Sequence, residues 1–377
     1  MSKLDILIKD FNKQYKEDIA ARGISRIQTQ KIPFSSPRAN YCTYGGIPRG
    51  RIVEFAGEEN GGKTTTALDI VTNAQKLFVS EWENEIAELE SIKTRKKEQE
   101  IRLTYLKTRG PKQIVYADCE NTLDEDWARL LGVDVDNMFV IKPMTQTAEQ
   151  IFEMILQTID TDEVGLVVID SLGVMLSAQA YEKTMEEKTY GGIAAALTLF
   201  SKKAELSCAK YNCTLIGINQ MREDMNSQYG GMITTGGKGW KHNCSLRLMF
   251  QKGSYIDERG NELRRSCESP AGNYVMMHIA KTKVCKPDRK VGFYTLKYNT
   301  GIDVVTDTFE TALKYGLINQ AGAWFTFIDL DTGEVITDEN DEVIKLQGKP
   351  NVLAYLRETP TLFQEIYNKV SELIEKS

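Results

Sequence analysis

Residues 57–64 read Gly-Glu-Glu-Asn-Gly-Gly-Lys-Thr, a glycine-rich turn that precedes a lysine and a hydroxyl residue. The glycines allow backbone N–H groups to turn inward around a phosphate, and a helix that begins there adds partial positive charge. In this pattern the lysine bridges the β- and γ-phosphates of a nucleotide, and the hydroxyl binds Mg²⁺. The sequence therefore predicts a site for a nucleoside triphosphate, formed by Gly57, Glu58, Glu59, Asn60, Gly61, Gly62, Lys63, Thr64 and Thr65.

An apolar run at residues 166–170 ends in Asp170. A carboxylate at the end of a buried strand is the second element that holds the metal in nucleotide hydrolases with such a loop. We therefore expect Thr64 and Asp170 to bind Mg²⁺ together.

Two other apolar runs also end in polar side chains. Residues 113–118 are followed by Glu120, and alternation along a strand points Asp118 and Glu120 to the same side. Either carboxylate could orient a water for attack on the γ-phosphate. Asn219 and Gln220 end another run, and their amides could sense a phosphate and pass the signal to the following segment.

Residues 221–240 contain five glycines and show no periodicity. Segments of this length without regular structure are usually functional or become ordered on binding a partner. Glycine N–H groups and Lys238 suit phosphates, and Met225, Tyr229 or Met232 could stack or wedge between bases. The segment therefore indicates a nucleic-acid contact.

The elements that must position these residues form an alternating pattern. Apolar runs rich in Val, Ile, Leu and Phe are separated by helical stretches, and several runs are nearly continuous, as buried parallel strands are. The predicted strands are residues 51–57, 113–118, 138–142, 165–170 and 213–219. The pattern favours an α/β fold with a mostly parallel, doubly wound sheet.

Regions of different character flank and interrupt this sheet. Residues 4–22 carry apolar side chains at helical spacing, and residues 80–112 read as a helix or helical hairpin, either a solvated insertion without chemistry or an arm for a partner. The last segment contains enough aromatic residues for a small α+β core. We divide the chain into an N-terminal helix and connector, a nucleotide-binding core and a C-terminal domain, at residues 1–40, 41–305 and 306–377.

Composition excludes several classes of protein. The chain has 377 residues, of which 41% are apolar and 27% charged, as in ordinary globular proteins. Seven cysteines without a Cys-x-x-Cys pair and only two histidines argue against a zinc site, a disulfide framework or a Ser-His-Asp mechanism. No membrane-length apolar run and no secretory pattern are visible, so we expect a cytoplasmic protein without a membrane partner.

Charge is unevenly distributed, although the net charge is −6. Residues 238–290 contain 12 basic and 5 acidic residues, whereas residues 301–377 contain 6 basic and 14 acidic residues. The pattern is either ordinary surface charge or a polyanion-binding region beside an acidic region that modulates it.

Taken in order, these segments resemble the bacterial RecA recombinases over nearly the whole chain. Besides the phosphate loop, the matching stretches are residues 50–57, 118–134, 168–171, 218–222, 234–237, 281–283 and 321–325. The resemblance implies a RecA-like P-loop ATPase core with an N-terminal helical segment and a small α+β C-terminal domain, and with ATP and Mg²⁺ as cofactors.

The resemblance also implies roles for single residues. Glu120 matches the glutamate that activates the attacking water, and Gln220 matches the amide that links the γ-phosphate to a DNA-binding loop. Asp124 and Trp127 match residues that contact adenine, with Trp127 in place of a stacking tyrosine. Together with Lys63, these residues form the expected site for ATP hydrolysis.

Residues at a subunit interface and at the DNA follow in the same way. Lys281 and Lys283 match lysines that reach the ATP of the adjacent subunit in a filament. Residues 177–190 and 222–240 match the two DNA-binding loops. The residues expected to contact DNA are Arg222, Met225, Gly236, Gly237, Lys238 and Lys203.

The sequence departs from the family at four places. Ala196 stands where the family has an arginine used for DNA, which Lys202 and Lys203 compensate only in part. Glu223 replaces an apolar residue at the start of the second loop. His242 stands where the family has an aromatic residue that couples neighbouring subunits. Residues 80–112 have no counterpart in typical bacterial members.

The expected function is ATP-dependent homologous recombination. The protein would polymerise into a helical filament on single-stranded DNA, hydrolyse ATP between subunits and pair the strand with a homologous duplex. One alternative is a non-catalytic accessory paralogue that acts as a filament mediator, which the missing arginine favours and the intact Glu120 and Gln220 disfavour. Another is a hexameric helicase motor, which would place an arginine where this chain has Lys281 and Lys283.

Overall fold

A computed structural model describes residues 3–15, 29–183, 192–223, 232–338 and 341–376. The chain divides into two compact units, Met1–Gln30 and Lys31–Ser377. In the first unit, helix α1 spans Lys3–Tyr15 and exposes Leu4, Leu7 and Phe11. This helix agrees with the predicted amphipathic pattern as far as residue 15, and the remainder of that prediction lies outside the described residues.

The second unit contains the remaining helices and all strands of the described residues. Its helices are α2 Pro37–Thr43, α3 Lys63–Ser91, α4 Lys97–Arg109, α5 Glu125–Leu130, α6 Ala148–Asp160, α7 Ala178–Tyr181, α8 Ala194–Tyr211, α9 Gly237–Asn243, α10 Val304–Tyr315, α11 Lys349–Glu358 and α12 Pro360–Lys376. Its strands are β1 Lys31–Ile32, β2 Ile47–Pro48, β3 Ile52–Gly57, β4 Gln113–Asp118, β5 Met138–Ile141, β6 Val164–Asp170, β7 Thr214–Glu223, β8 Met232–Thr234, β9 Leu246–Ile256, β10 Glu262–Leu263, β11 Gly272–Thr282, β12 Val291–Lys297, β13 Gly301–Ile302, β14 Ile318–Ala321, β15 Trp324–Phe327 and β16 Lys345–Gln347.

The central sheet has a parallel half and an antiparallel half. Its order is β13-β12-β11-β9-β3-β7-β6-β4-β5, with β8 beside β7 and β10 beside β9. The strands from β9 to β5 along this order are parallel, and those from β9 to β13 are antiparallel. Strands β3 and β6 are buried along their whole length, since helices cover both faces. The predicted α/β fold with a mostly parallel sheet is confirmed.

The segment that follows β7 is more regular than its composition suggests. Residues 221–240 were expected to lack regular structure, but β7 continues to Glu223 and pairs with β8 in an antiparallel ladder. Helix α9 then begins at Gly237, after a left-handed residue at Gly236 that only glycine adopts without strain. The expectation of an aperiodic segment is therefore wrong for its described ends, because cross-strand pairing and helix capping act where no hydrophobic period is visible.

Residues 80–112 are largely helical, as expected. The first part continues helix α3, which runs for 29 residues from the phosphate loop, and the second part is α4. The indole Nε1 of Trp82 donates to the carbonyl oxygen of Leu106 at 2.8 Å, and Arg102 binds Glu85 through two hydrogen bonds. The two helices therefore form a hairpin.

The C-terminal residues have their own hydrophobic core. Helices α10, α11 and α12 pack on the antiparallel sheet β14-β15-β16 around Phe309, Phe327 and Ile366. The α+β character agrees with the sequence pattern, and the proposed boundary at residue 306 stays a prediction. Among the described residues, no helix is long and apolar enough to cross a membrane.

Candidate active site

The carboxyl ends of four neighbouring parallel strands bring the predicted chemical residues together. Gly57 at the end of β3 lies opposite Gln220 of β7, and Asp118 of β4 lies opposite Asp170 of β6. Ligands bind at this edge in open α/β sheets, because the loops that follow the strands converge there.

The phosphate loop is held by backbone conformations that require glycine. Gly57 has a φ of 155° and Gly62 a φ of 94°. A Cβ atom on Gly57 would lie 2.3 Å from the carbonyl oxygen of Phe250, and one on Gly62 would lie 2.9 Å from Val275. The loop is thus pressed against the sheet with its N–H groups at the start of α3, which suits a phosphate cradle.

Lys63 opens helix α3, and only 8% of its surface is exposed. Its Nζ donates to the carbonyl oxygens of Gly57 at 3.1 Å and Glu58 at 2.6 Å. Burial lowers the pKa of Lys63 from its usual value, and the negative charges of Asp170 and Glu120 oppose this shift. The ammonium group is therefore held inside the loop, where a phosphate chain would be bound.

The predicted metal ligands are in contact. Thr64 Oγ1 donates to Asp170 Oδ2 at 2.8 Å, and Tyr116 Oη donates to the same oxygen at 2.8 Å. Burial raises the pKa of Asp170, while the hydrogen bonds from Thr64 and Tyr116 act in the opposite direction. A hydroxyl and a carboxylate oxygen at this distance suit the hard cation Mg²⁺.

The two carboxylates after β4 have different surroundings. Both oxygens of Asp118 accept backbone N–H groups, from Thr122 at 3.1 Å and Leu123 at 3.1 Å, so this carboxylate fixes the turn. Glu120 Oε1 instead accepts from side chains, namely Gln220 Nε2 at 3.0 Å and the hydroxyl of Ser171. Of the two residues, Glu120 is the one in contact with the polar groups of the neighbouring strand ends.

A cavity of about 370 Å³ adjoins the phosphate loop. Trp127 lines it, and the indole Nε1 lies 3.4 Å from Thr65 Oγ1. Asp124 contributes indirectly, since its carboxylate caps α5 by accepting the backbone N–H of Trp127 at 3.0 Å. The room beside an aromatic ring and the loop fits a nucleotide base.

Three polar residues of the cavity wall were missed from the sequence. Lys252, Asn273 and Tyr298 line it, and Tyr298 Oη donates to Asn273 Oδ1 at 2.8 Å. They come from the antiparallel half of the sheet, far from the phosphate loop in sequence. In the sequence, the only indication of this wall is that an aromatic residue, Tyr298, directly follows β12. Aromatic residues at strand ends are too common to identify a binding site.

Lys281 and Lys283 converge on the end of a helix. Lys281 Nζ donates to the carbonyl oxygens of Lys241 at 2.7 Å and His242 at 2.6 Å, and Lys283 Nζ donates to that of His242 at 3.0 Å. Burial is the main cause that lowers the pKa of Lys281, and the charge of Lys283 adds to it. Both cations thus stabilise the negative end of α9.

The residues expected to contact DNA are only partly brought together. Gly236 and Gly237 form the N-terminus of α9, and Gly237 and Lys238 are exposed. A Cβ atom on Gly236 would lie 2.4 Å from Leu197 of α8, so glycine is required there. Arg222 is exposed near the end of β7 and donates to the carbonyl oxygen of Gly173 at 3.0 Å. Met225 lies outside the described residues.

Lys203 is directed away from the other residues that were expected to contact DNA. Helix α8 packs against α9 through Leu197, Thr198 and Ser201. Since successive residues of a helix are rotated by about 100°, Lys203 lies on the side of α8 opposite to these three residues. Its Nζ pairs with Glu153 of α6 at 3.9 Å. The structure therefore does not bring Lys203 to the same surface as the α9 N-terminus.

Comparison with known proteins agrees with this architecture. The family model of the RecA N-terminal domain matches residues 3–80 and 101–303, and that of the RecA C-terminal domain matches residues 306–375.

Curated relatives are similar over almost the whole chain. Protein RecA of Aquifex aeolicus is 28% identical over 98% of this chain and 92% of its own length. Protein RecA of Thermus aquaticus is 29% identical over 99% of this chain and 94% of its own length, and that of Clostridium tetani is 30% identical over 87% and 78%. The chain therefore belongs to the RecA family of recombinases.

Proposed function

We propose that this RecA recombinase hydrolyses ATP in a reaction stimulated by single-stranded DNA and uses it to exchange homologous DNA strands. The observation that carries the proposal is the contact between Gln220 and Glu120 beside the Thr64–Asp170 pair. This contact connects strand β7, which continues toward the α9 N-terminus, with the Glu120 carboxylate beside the phosphate loop.

Each residue has a separate task in this mechanism. Lys63 offers its ammonium group to the β- and γ-phosphates, and Thr64 and Asp170 hold Mg²⁺. Bound Mg²⁺ supplies positive charge to the phosphate oxygens. Glu120 orients a water and accepts its proton, and Gln220 holds that carboxylate in position through its N–H group.

The nucleotide site is completed by a second subunit. Lys281 and Lys283 lie together on the opposite half of the sheet from the catalytic carboxylate, and both bind α9 within their own chain. In a helical filament we assign them to the ATP of the adjacent subunit. Open helical assembly follows from head-to-tail contacts between identical subunits.

DNA binds at the surface formed by the α9 N-terminus and the end of β7. Gly236 and Gly237 present backbone N–H groups to phosphates, and Arg222 and Lys238 supply charge. The protein contacts the backbone, and base pairing with the homologous duplex supplies sequence recognition. The partial loss of family features at Ala196 and His242 predicts weaker DNA binding and lower cooperativity, and the cytoplasmic location stays a prediction.

The test is strand exchange between a circular single strand and a homologous linear duplex, with ATP and Mg²⁺. We expect joint molecules and then nicked circles with the wild type, and neither product with Lys63→Ala. A wild-type protein that binds ATP, yet shows no effect of DNA on hydrolysis and no joint molecules, would favour the mediator alternative.

A further inference from the structure

The carboxylate of Glu54 lies at the centre of a buried group of polar side chains. Glu54 is fully buried in β3, three residues before the phosphate loop. Its Oε1 accepts from Asn219 Nδ2 at 3.0 Å and from Trp240 Nε1 at 2.9 Å, and its other oxygen accepts from Arg247 Nε. One carboxylate thus links strands β3, β7 and β9 to helix α9.

Asn219 extends this group to the segment before α9. Its Nδ2 also donates to the carbonyl oxygen of Thr235 at 2.8 Å, while its Oδ1 is buried and has no hydrogen-bond partner among the described residues. Successive side chains on a strand point to opposite faces, so Gln220 is directed the other way, to Glu120. The end of β7 therefore contacts the catalytic carboxylate on one face and the predicted DNA surface on the other.

Trp240 is held firmly against the sheet. It is fully buried, and a Cβ atom on Gly217 of β7 would lie 2.5 Å from its ring. The ring thus occupies the space that a side chain on Gly217 would fill, and its N–H group is directed at Glu54. Because α9 begins at Gly236 and Gly237, the indole fixes the helix that presents these glycines.

We propose that Glu54 is a positioning residue that couples the nucleotide site to the DNA surface, with Trp240 and Asn219 as its two donors on the DNA side. A displacement of β3 or β7 at the phosphate loop changes the position of Glu54 relative to its donors. Helix α9 then moves as well, because the indole of Trp240 and the amide of Asn219 donate to the same oxygen of Glu54. This inference rests on the proposed function, since it requires a DNA surface at the α9 N-terminus.

The coupling is measured as a ratio of affinities. The affinity of full-length protein for a fluorescent oligo-dT is determined with and without a non-hydrolysable ATP analogue, and the affinity for the analogue with and without oligo-dT. The two ratios are equal by linkage, and typical coupling between sites amounts to about 5- to 150-fold. Neither measurement depends on hydrolysis.

The informative variant is Trp240→Phe, which keeps an aromatic ring and removes the N–H group. We expect it to reduce the coupling ratio at least threefold while the affinity for the analogue alone stays within twofold. Glu54→Gln keeps one acceptor oxygen but removes the charge that Trp240, Asn219 and Arg247 all face, so it should reduce the ratio further. The double variant should lose less than the sum of the two single losses, because both changes act on the contact between position 54 and Trp240.

The matched control is Ser201→Ala. Asn243 of α9 donates to Ser201 of α8 at 2.8 Å, so this variant loosens α9 without touching β3. An equal loss of coupling in Ser201→Ala and Trp240→Phe, or a Trp240→Phe ratio equal to that of the wild type, overturns the proposal. If Glu54→Gln fails to fold, the comparison of Trp240→Phe with Ser201→Ala still decides. A wild-type ratio of one contradicts the proposed function instead.

Discussion

The two halves of helix α3 differ in burial and in the contacts that stabilise them. Its N-terminal half begins at the phosphate loop and is buried as far as Phe78, whereas no residue beyond Phe78 is buried. The C-terminal half is stabilised by contacts with α4, including ion pairs from Arg102 to Glu85 and from Lys107 to Glu90 at exposed positions.

The family models reflect this difference. The matched region ends at residue 80 and resumes at residue 101, so the unmatched residues coincide with the exposed half of α3 and the start of α4. A helix face packed on the sheet restricts both side-chain volume and chemistry, whereas an exposed hairpin restricts little beyond helix formation. The comparison predicts large effects at the loop end of α3 and small effects in the hairpin.

The largest effect is expected at Lys63. Lys63→Ala should lower the rate of ATP hydrolysis by about 10²- to 10³-fold or more, because preorganised charge at a reacting group contributes on that order. Lys97→Ala, at the start of α4, is the matched control and should stay within twofold. Steady-state phosphate release measures both, and hydrolysis by Lys63→Ala near the wild-type rate would refute the assignment of the loop.

Gln220→Ala should separate basal from stimulated hydrolysis. The variant loses the N–H group that holds Glu120, so we expect ATP binding to persist and the stimulation by single-stranded DNA to fall about tenfold or more. Asn137→Ala, in an exposed turn, is the control. Analogue binding by fluorescence and phosphate release with and without oligo-dT check the prediction, which fails if stimulation survives.

A mixture of two inactive variants tests the interface. The Lys281→Ala/Lys283→Ala variant keeps an intact phosphate loop, and the Lys63→Ala variant keeps both Lys281 and Lys283. A head-to-tail interface takes the loop from one subunit and the two lysines from its neighbour. In an equal random mixture, about a quarter of the interfaces therefore combine an intact loop with intact lysines. We expect about a quarter of the wild-type DNA-dependent rate. Co-assembled filaments as inactive as each parent would exclude catalysis across the interface.

Asp307 links α10 to the central sheet and gives a pH-dependent effect. It is fully buried, its carboxylate accepts the N–H and hydroxyl groups of Thr295, and burial raises its pKa to about 6. A raised pKa favours the folded state at low pH, and this contribution is lost as the pH rises through about 6.

Asp307→Asn removes this titration. The stability of the wild type relative to the variant should therefore fall by about 1 to 1.5 kcal/mol between pH 5 and pH 7.5. Urea unfolding at both pH values measures the difference, and Asp331→Asn, at an exposed carboxylate, is the control. A difference in unfolding free energy that is independent of pH would contradict the raised pKa.

The smallest effect is expected in the hairpin. Arg102→Ala should lower the free energy of unfolding by less than about 1 kcal/mol, because its bond to Glu85 is exposed and water competes with it. The ATPase rate should not change. Urea denaturation and phosphate release measure both, and a loss of ATPase activity would show that the hairpin supports the site.

The sequence predicts those features that depend on local pattern. The strands that end at Gly57, Asp118 and Asp170 follow from apolar runs, and the phosphate loop follows from its own spacing. Tyr298 and Lys252 could not be assigned, because their approach to the loop depends on how the antiparallel half of the sheet pairs. Similarly, the contact of Glu54 with Trp240 depends on tertiary packing that no periodicity encodes.

The length of α3 has a practical consequence. At 1.5 Å per residue, its 29 residues form a rod of about 43 Å with the proposed nucleotide site at one end and the exposed turn around Thr94 just beyond the other. A fluorophore on Thr94 would stand clear of the phosphate loop. Energy transfer between such labels on successive subunits would then serve as a ruler for the pitch of the filament.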